Sequence, residues 1–183
     1  LKAQNHQLKI LDIGCGAGAM IASLQKTLPQ HQYNGIDVSA KAIEYGKSQY
    51  KNINLDIIKS GKIDFPSSSI DLVIISEVLE HVDDYKNILE KATEILKKDG
   101  FLYLTSPLEK SLLTVQGIIL KTTNILLSTK TTGHINTFTK KTIFGILHAT
   151  NLRPIQYSYS QHLFWQISMT VYQILLIALK KDV

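Results

Sequence analysis

Two carboxylates and an imidazole lie close together in the stretch SEVLEHV, directly after the apolar run IDLVII. They are Glu77, Glu80 and His81, and their spacing predicts that they share one side of a helical turn. An imidazole in this position can act as a general base toward an acceptor hydroxyl group. Two carboxylates and an imidazole can also hold a divalent cation. In a third interpretation, which also stays open, Glu80 and His81 only cap and brace the start of a helix.

Three glycines at alternate positions form a second cluster with chemical meaning, in the stretch LDIGCGAGAM near the start of the chain. Gly14, Gly16 and Gly18 follow an apolar run, at the point where a strand is expected to turn into a helix. Glycine allows positive φ there and lets backbone N–H groups approach a ligand closely. A tight turn without a ligand is the alternative.

An acidic residue at the end of the second predicted strand supports a ligand site. Asp37 lies in GIDVS, and a carboxylate at this place can accept hydrogen bonds from the two ribose hydroxyl groups of an adenosine cofactor. It can also cap the helix that is predicted to begin at Ala40. The glycine turn and Asp37 together predict an adenosine-cofactor site.

Asp12 indicates which adenosine cofactor the turn accepts. It precedes Gly14 by two residues, and the glycine spacing is G-x-G-x-G, whereas dinucleotide sites usually show G-x-G-x-x-G. An acid in the turn repels a pyrophosphate and attracts the cationic ammonium and sulfonium groups of S-adenosylmethionine. The pattern therefore favours that cofactor and disfavours a nicotinamide-dependent oxidoreductase.

Short apolar runs alternate with longer amphipathic stretches along most of the chain. This alternation predicts an α/β domain in which helices cover both faces of a parallel sheet, with the glycine turn at its carboxyl edge. The predicted strands are residues 8–13, 33–38, 53–58, 70–76, 101–105, 152–159 and 172–179. The predicted helices are residues 17–28, 40–50, 82–98 and 142–149, with Ser39 as the N-cap of the second and Thr139 or Thr142 as the N-cap of the last.

Four motifs in this order resemble the class I S-adenosylmethionine-dependent methyltransferases: LDIGCGAGAM, GIDVS, IDFPSSSIDLVIISEVLEHV and LKKDGFLYLTSP. The resemblance covers residues 8–158. It implies a Rossmann-like, doubly wound sheet of seven strands, mostly parallel with the last strand antiparallel. It also implies S-adenosylmethionine as cofactor and S-adenosylhomocysteine as product. The arrangement is similar to that of the O-methyltransferases of ubiquinone biosynthesis.

The same resemblance implies a set of cofactor contacts and shows one departure. Family members usually carry an Asp just after the third strand, which binds the adenine amino group, but Lys59 or Ser60 stands there in this chain. The hydroxyl group of Ser60 can substitute for it. The remaining implied contacts are Asp12, Gly14, Cys15, Gly16 and Gly18 around the methionyl part, Asp37 at the ribose, Val38 on the adenine, and Ser76 and Glu77 below the methyl donor.

The stretch after the fifth predicted strand bears on the acceptor. Residues 108–132 are rich in Leu and Ile and contain few charged residues, and we predict a small helical cap inserted at about 108–133 of a single domain, 1–183. The cap either packs on the domain or offers a hydrophobic mouth, or a membrane-surface patch, to a lipophilic acceptor. His134, in the following stretch GHINTFTKKT, can reach the site from there, although a structural contact between cap and core is the preferred interpretation.

Composition limits the location and the partners. The 183 residues carry a net charge of +5 that comes mostly from scattered lysines, and one cysteine excludes an internal disulfide bond. No secretory signal pattern is seen at the start. We therefore expect a cytoplasmic protein, with peripheral membrane contact through 108–132 as one interpretation, and no specific nucleic-acid partner.

These observations predict methyl transfer to a small, lipophilic acceptor, with O-methylation preferred and His81 as the catalytic residue. RNA or protein methylation is the alternative, but the tetrapeptide Asn/Asp-Pro-Pro-Tyr/Phe, which amino-methylating enzymes often use, is replaced by Ser76-Glu77-Val78-Leu79. A divalent cation on Glu77, Glu80 and His81 is a further alternative. A non-catalytic binding module with the same fold is disfavoured by the intact glycine turn and Asp37.

Overall fold

A computed structural model describes residues 7–59, 61–108, 133–160 and 174–181. Its strands are β1 (Lys9–Ile13), β2 (Gln32–Asp37), β3 (Asn54–Ile57), β4 (Ile70–Ser76), β5 (Leu96–Thr105), β6 (Leu152–Ser160) and β7 (Ile174–Lys181). They form one sheet in the order β3-β2-β1-β4-β5-β7-β6. Strands β1 to β5 pair in parallel, whereas β7 is antiparallel to both β5 and β6. The predicted Rossmann-like, mostly parallel sheet is confirmed.

Helices cover both faces of this sheet: α1 (Ala19–Thr27), α2 (Ala40–Gln49), α3 (Tyr85–Ile95) and α4 (Lys140–Ala149), with a short 3-10 helix at Leu79–His81. Two apolar clusters result, because neighbouring strand residues point to opposite faces. In β1, Ile10 packs in the cluster that contains side chains of α1 and α2. Leu11 packs in the cluster that contains side chains of α3 and α4. The prediction of helices on both faces is therefore confirmed.

Side-chain caps set the starts of three helices. The Ser39 hydroxyl accepts a hydrogen bond from the Ala42 backbone N–H at 3.2 Å, and the Thr139 hydroxyl accepts one from Thr142 N–H at 3.1 Å. Both predicted caps are confirmed, with Thr139 rather than Thr142 in the second. Asp84 caps α3, because its carboxylate accepts from the N–H of Asn87 at 3.2 Å.

The predicted helix at residues 82–98 is wrong at both ends. Val82 is extended, with φ −118° and ψ 136°, and the Asp84 cap delays the helix to Tyr85. At the other end β5 already begins at Leu96, which pairs with Ile70 of β4 across a register shift. The backbone from Leu96 onward therefore pairs with β4 as a strand, although local propensity predicted one more helical turn there. The other predicted elements, apart from the start of β5, agree with the structure within two residues.

The sheet order creates one crevice. β1 pairs with β2 on one side and with β4 on the other. The chain runs outward from β1 through β2 to β3 and then crosses back to β4 on the other side of β1, so the strand order reverses beside β1. Ligands of open α/β sheets bind at such a point, outside the carboxyl ends of the strands. Residues that follow β1, β2 and β4 are therefore the ones that can form a site.

Several predictions concern residues outside the described ranges or are not tested by them. Ser60 and residues 109–132 lie outside those ranges, so the adenine contact of Ser60 and the helical cap stay predictions. The single-domain organisation and the cytoplasmic location stay predictions as well. Within the described ranges, no helix has both the length and the apolar character needed to cross a membrane.

Two helix glycines make a matched test of packing against the glycine turn. A Cβ atom on Gly46 of α2 would collide with the backbone carbonyl oxygen of Ala17, whereas one on Gly145 of α4 would meet no atom within 4 Å. Gly46→Ala should therefore lower the free energy of unfolding by about 1–3 kcal/mol. Gly145→Ala should raise it by up to about 1 kcal/mol, because alanine favours the helix. Urea unfolding measures both, and equal effects would contradict the close packing of α2.

Candidate active site

The glycine turn adopts the left-handed backbone that its composition suggested. Gly14, Gly16 and Gly18 have φ values of 77°, 55° and 80°, a region that costs residues with a Cβ atom about 1–2 kcal/mol. The N–H groups of Gly14 and Cys15 both donate to the carbonyl oxygen of Ile36, at 2.8 and 3.1 Å. The turn is therefore tied to β2.

The space around the glycines differs from one to the next. A Cβ atom on Gly14 would collide with the Val78 side chain, and one on Gly18 would lie 2.9 Å from Leu55. A Cβ atom on Gly16 would meet nothing within 4 Å. Gly14 and Gly18 are thus needed for packing as well as for conformation, whereas Gly16 borders the open crevice.

Asp37 joins the turn to the start of α2. One of its carboxylate oxygens, Oδ2, accepts a hydrogen bond from the Gly16 N–H at 2.8 Å. The other, Oδ1, accepts from the Ser39 N–H at 2.8 Å. Each oxygen retains acceptor capacity beyond these bonds. Asp37 therefore has the structural role that was one alternative, and it also keeps the means to bind hydroxyl groups.

Asp12 places a second acid behind the turn. It is 2% exposed, and burial, followed by the nearby charge of Asp37, raises its pKa to about 7. Burial and the same two acids raise the pKa of the Cys15 thiol to about 12, so the thiol stays protonated at neutral pH. The turn consequently offers negative potential without a neutralising cation of its own, an arrangement that attracts a positively charged ligand.

Val38 lies next to Asp37 and is 73% exposed. An apolar side chain this exposed at the crevice is available to a flat ligand ring. The sequence prediction of an adenine contact is compatible with this placement and stays a prediction.

A hydrogen-bonded chain connects the ends of β4 and β5. The Thr105 hydroxyl donates to Oε1 of Glu77 at 3.0 Å, and it lies 2.9 Å from the Ser76 hydroxyl. Because Thr105 has a single hydroxyl hydrogen, Ser76 must donate to Thr105. The sequence analysis did not select Thr105. Thr105 is the last residue of β5 and lies opposite Ser76 of β4. A polar residue at the carboxyl end of a strand is the feature by which the sequence could have indicated it.

Glu77 does not belong to a helical turn, so the predicted helical face for Glu77, Glu80 and His81 is wrong. Its φ of 55° is left-handed, which costs a non-glycine residue about 1–3 kcal/mol. The 3-10 helix begins two residues later, at Leu79. Burial raises the pKa of the Glu77 carboxyl, while the hydrogen bond from Thr105 and the nearby His134 act in the opposite direction.

His134 completes the group of side chains at the 3-10 helix. One ligand atom from each of Glu80, His81 and His134 lies within 4.8 Å of the others. The two imidazole rings are 4.8 Å apart between centroids and meet edge to face. Glu80 and His134 are buried, whereas His81 is exposed. The sequence pattern predicted a metal-binding group of Glu77, Glu80 and His81. In the structure the third member of the group is His134 instead of Glu77.

Comparison with known proteins gives the family of the chain. A family described as a methyltransferase domain matches residues 1–157. The chain belongs to this family. The chain is 31% identical over 102 residues to a ubiquinone biosynthesis O-methyltransferase of Pelagibacter ubique, and the match covers 54% of this chain and 42% of that protein.

A second curated relative and one solved structure are also similar to this chain. A ubiquinone/menaquinone biosynthesis C-methyltransferase of Campylobacter jejuni is 33% identical over 102 residues, covering 52% of this chain and 43% of the relative. The chain thus spans less than half the length of the two curated relatives. The crystal structure of a S-adenosylmethionine-dependent methyltransferase from Methanosarcina mazei has a TM-score of 0.76 at 17% identity, covering 97% of this chain and 93% of that one. That similarity shows the shared fold.

The burial of Asp12 makes the stability of the folded chain dependent on pH. Because the pKa of Asp12 rises from 3.8 to about 7 on folding, its contribution is present below pH 4 and is lost as the pH rises through 7. Over this interval it amounts to about 4 kcal/mol of unfolding free energy. Asp12→Asn should remove that part of the pH dependence in urea unfolding between pH 4 and 8. The exposed Asp64→Asn is the control, and parallel profiles for Asp12→Asn and the wild type would contradict the assignment.

Proposed function

We propose that this chain transfers a methyl group from S-adenosylmethionine to an oxygen atom of a small, lipophilic molecule. The observation that carries the proposal is the open, negatively charged crevice formed by Asp12, Gly16 and Asp37 at the switch point of the sheet. Membership of the methyltransferase domain family supports the reaction class. The apolar composition of residues 108–132 supports a lipophilic acceptor and a peripheral membrane contact.

The described residues fit the cofactor. Asp12 and Glu77 supply negative charge for its ammonium and sulfonium groups, and both carboxylates are held away from bulk water. Asp37 has acceptor capacity left for the ribose hydroxyl groups, and the exposed Val38 can cover the adenine ring. Around them, Gly14, Cys15, Gly16 and Gly18 form the turn, and Ser76 supports Glu77 through Thr105. The adenine contact of Ser60 is proposed from the sequence alone. When bound, the cofactor supplies a methyl group activated by its positively charged sulfur.

On the acceptor side, His81 has the exposure that a general base requires. It lies at the end of the 3-10 helix after β4, while Glu80 and His134 are buried beside it. In the proposed reaction, a ring nitrogen of His81 takes the proton from the acceptor hydroxyl group as the oxygen forms its bond to the methyl carbon. The bond between that carbon and the sulfonium sulfur breaks at the same time, and S-adenosylhomocysteine is the leaving group. The chain otherwise has to align the acceptor and exclude water.

A divalent cation at the same place is the second candidate. The close approach of ligand atoms from Glu80, His81 and His134 favours it, and these carboxylate and imidazole groups suit Mn²⁺ or Zn²⁺. Glu77, which the sequence pattern included, would then act from the neighbouring turn. In this version Glu80, His81 and His134 would hold the cation, which would supply Lewis-acid chemistry toward an acceptor hydroxyl group.

Calorimetric titration with S-adenosylhomocysteine tests the cofactor assignment, with NADH as the control ligand. We expect micromolar binding of S-adenosylhomocysteine and none of NADH, because Asp12 disfavours a pyrophosphate. Asp37→Asn should weaken the binding, since a ribose contact and the tie to Gly16 are both altered. Binding of neither ligand would contradict the proposal and favour a non-catalytic module with this fold.

Substitution of His81 tests whether this residue acts as a general base or only stabilises the start of the helix. With labelled S-adenosylmethionine and catechol-like or quinol-like acceptors, His81→Ala should lower kcat by about 10²- to 10⁴-fold and leave the affinity for S-adenosylhomocysteine unchanged. The exposed His148→Ala on α4 is the matched control. A loss of thermal stability with unchanged kcat would show that His81 has only a structural role.

The same assay tests the cation and the acceptor class. Activity that disappears with EDTA and returns with Mn²⁺ would favour a divalent cation at the site. Methyl transfer only to RNA or protein would contradict a small acceptor.

A further inference from the structure

A segment distant in sequence holds the 3-10 helix that carries Glu80 and His81. Residues 133–139, called the clasp segment here, lie against this helix. The backbone N–H groups of Ile135 and Asn136 both donate to the carbonyl oxygen of Glu80, at 2.9 and 3.1 Å. Two consecutive N–H groups thus converge on the backbone of a buried residue of the acceptor side.

The side chain of Asn136 extends this contact to both ends of the helix. Its Nδ2 atom donates to the carbonyl oxygens of Leu79, at 3.0 Å, and of Val82, at 2.6 Å. Both hydrogens of the amide group are therefore used. Because both neighbours are carbonyl oxygens, only an amide NH₂ group suits this place, and a carboxylate would repel them.

A 3-10 helix of three residues cannot fix its own conformation well. The His81 N–H donates to the carbonyl oxygen of Val78 at 2.9 Å, and so short a helix leaves most of its carbonyl groups with acceptor capacity for partners outside it. The hydrogen bonds from the clasp segment occupy the carbonyls of Leu79, Glu80 and Val82. The conformation of the helix is consequently imposed from outside.

The clasp segment has a separate anchor. Phe138 is 2% exposed in the apolar cluster, and its ring meets that of Tyr85 edge to face, with 5.2 Å between centroids. This apolar contact holds the segment against α3 without the amide of Asn136. The Asn136 amide therefore affects the orientation of the 3-10 helix more than it affects the packing of the clasp segment against α3.

We propose that Asn136 is a positioning residue for the acceptor side, which sets the backbone of Glu80 and His81 so that the His81 ring meets His134. The inference rests on the proposed role of His81 in methyl transfer. Since His134 lies two residues before Asn136 on the same segment, one contact sets the relative position of both imidazoles. Small errors in the placement of a reacting group cost about 10- to 100-fold in rate.

The test compares Asn136→Asp with Asn52→Asp, an exposed asparagine outside the site that receives the same charge change. In protein labelled with ¹³C in the histidine rings, Asn136→Asp should abolish the nuclear Overhauser contact between His81 and His134 and shift both sets of signals. The signals of His31 and His148 should stay in place. His81→Gln and His134→Gln assign the resonances.

The expected kinetic result for Asn136→Asp is a fall in kcat of about 10- to 100-fold, with the affinity for S-adenosylhomocysteine within twofold of the wild type. Asn136→Ala, which removes both hydrogen bonds without adding a charge, should show the same pattern and replaces the aspartate variant if that variant does not fold. An unchanged ring contact would overturn the proposal. So would a parallel loss of thermal stability, cofactor affinity and all histidine signals, which would show a merely structural role.

The contact between the His81 and His134 rings is measured without an activity assay, so it tests the role of Asn136 independently of the proposed function. If His81→Ala retains full activity, the base role fails, whereas loss of the ring contact in Asn136→Asp would still establish that Asn136 positions the two imidazoles.

Discussion

The tie between the glycine turn and β2 is the interaction on which the rest of the site depends. Ile36 accepts two backbone hydrogen bonds from the turn, and Asp37 accepts a third from Gly16. This bonding requires a left-handed backbone at alternate residues, which glycine adopts at low cost. The close packing of Gly46 against Ala17 then brings α2 onto the turn. A single local conformation thus sets the positions of β1, β2 and α2 around the crevice.

The two sides of the site are built in different ways. The cofactor side uses residues that follow β1 and β2 directly, so its geometry comes from two strand ends. The acceptor side joins the end of β4, the end of β5 through Thr105, and the clasp segment through His134 and Asn136. Its geometry depends on three parts of the chain that only the folded sheet brings together.

Buried acids give the crevice its charge at some cost in stability. Asp12 is buried and Glu77 is half-buried, and burial raises the pKa of each. Glu77 also holds a left-handed backbone. A carboxylate without solvent is destabilising unless a cation or hydrogen bonds offset it. Such a cost is typical of residues retained for binding rather than for folding, and both acids belong to the proposed cofactor site.

The sequence by itself determined the features that depend on neighbouring residues. Gly14, Gly16 and Gly18 predicted the left-handed turn, Ser39 and Thr139 predicted helix starts, and alternating apolar runs predicted the parallel sheet, because conformational preference and periodicity are local properties. Only the tertiary structure decided where α3 ends, how Glu77 is oriented, and that His134 reaches His81. Sheet pairing overrides local propensity at Leu96, and the partners of Asn136 lie 54 and 57 residues away. No local pattern specifies which distant segment returns to a given carbonyl group.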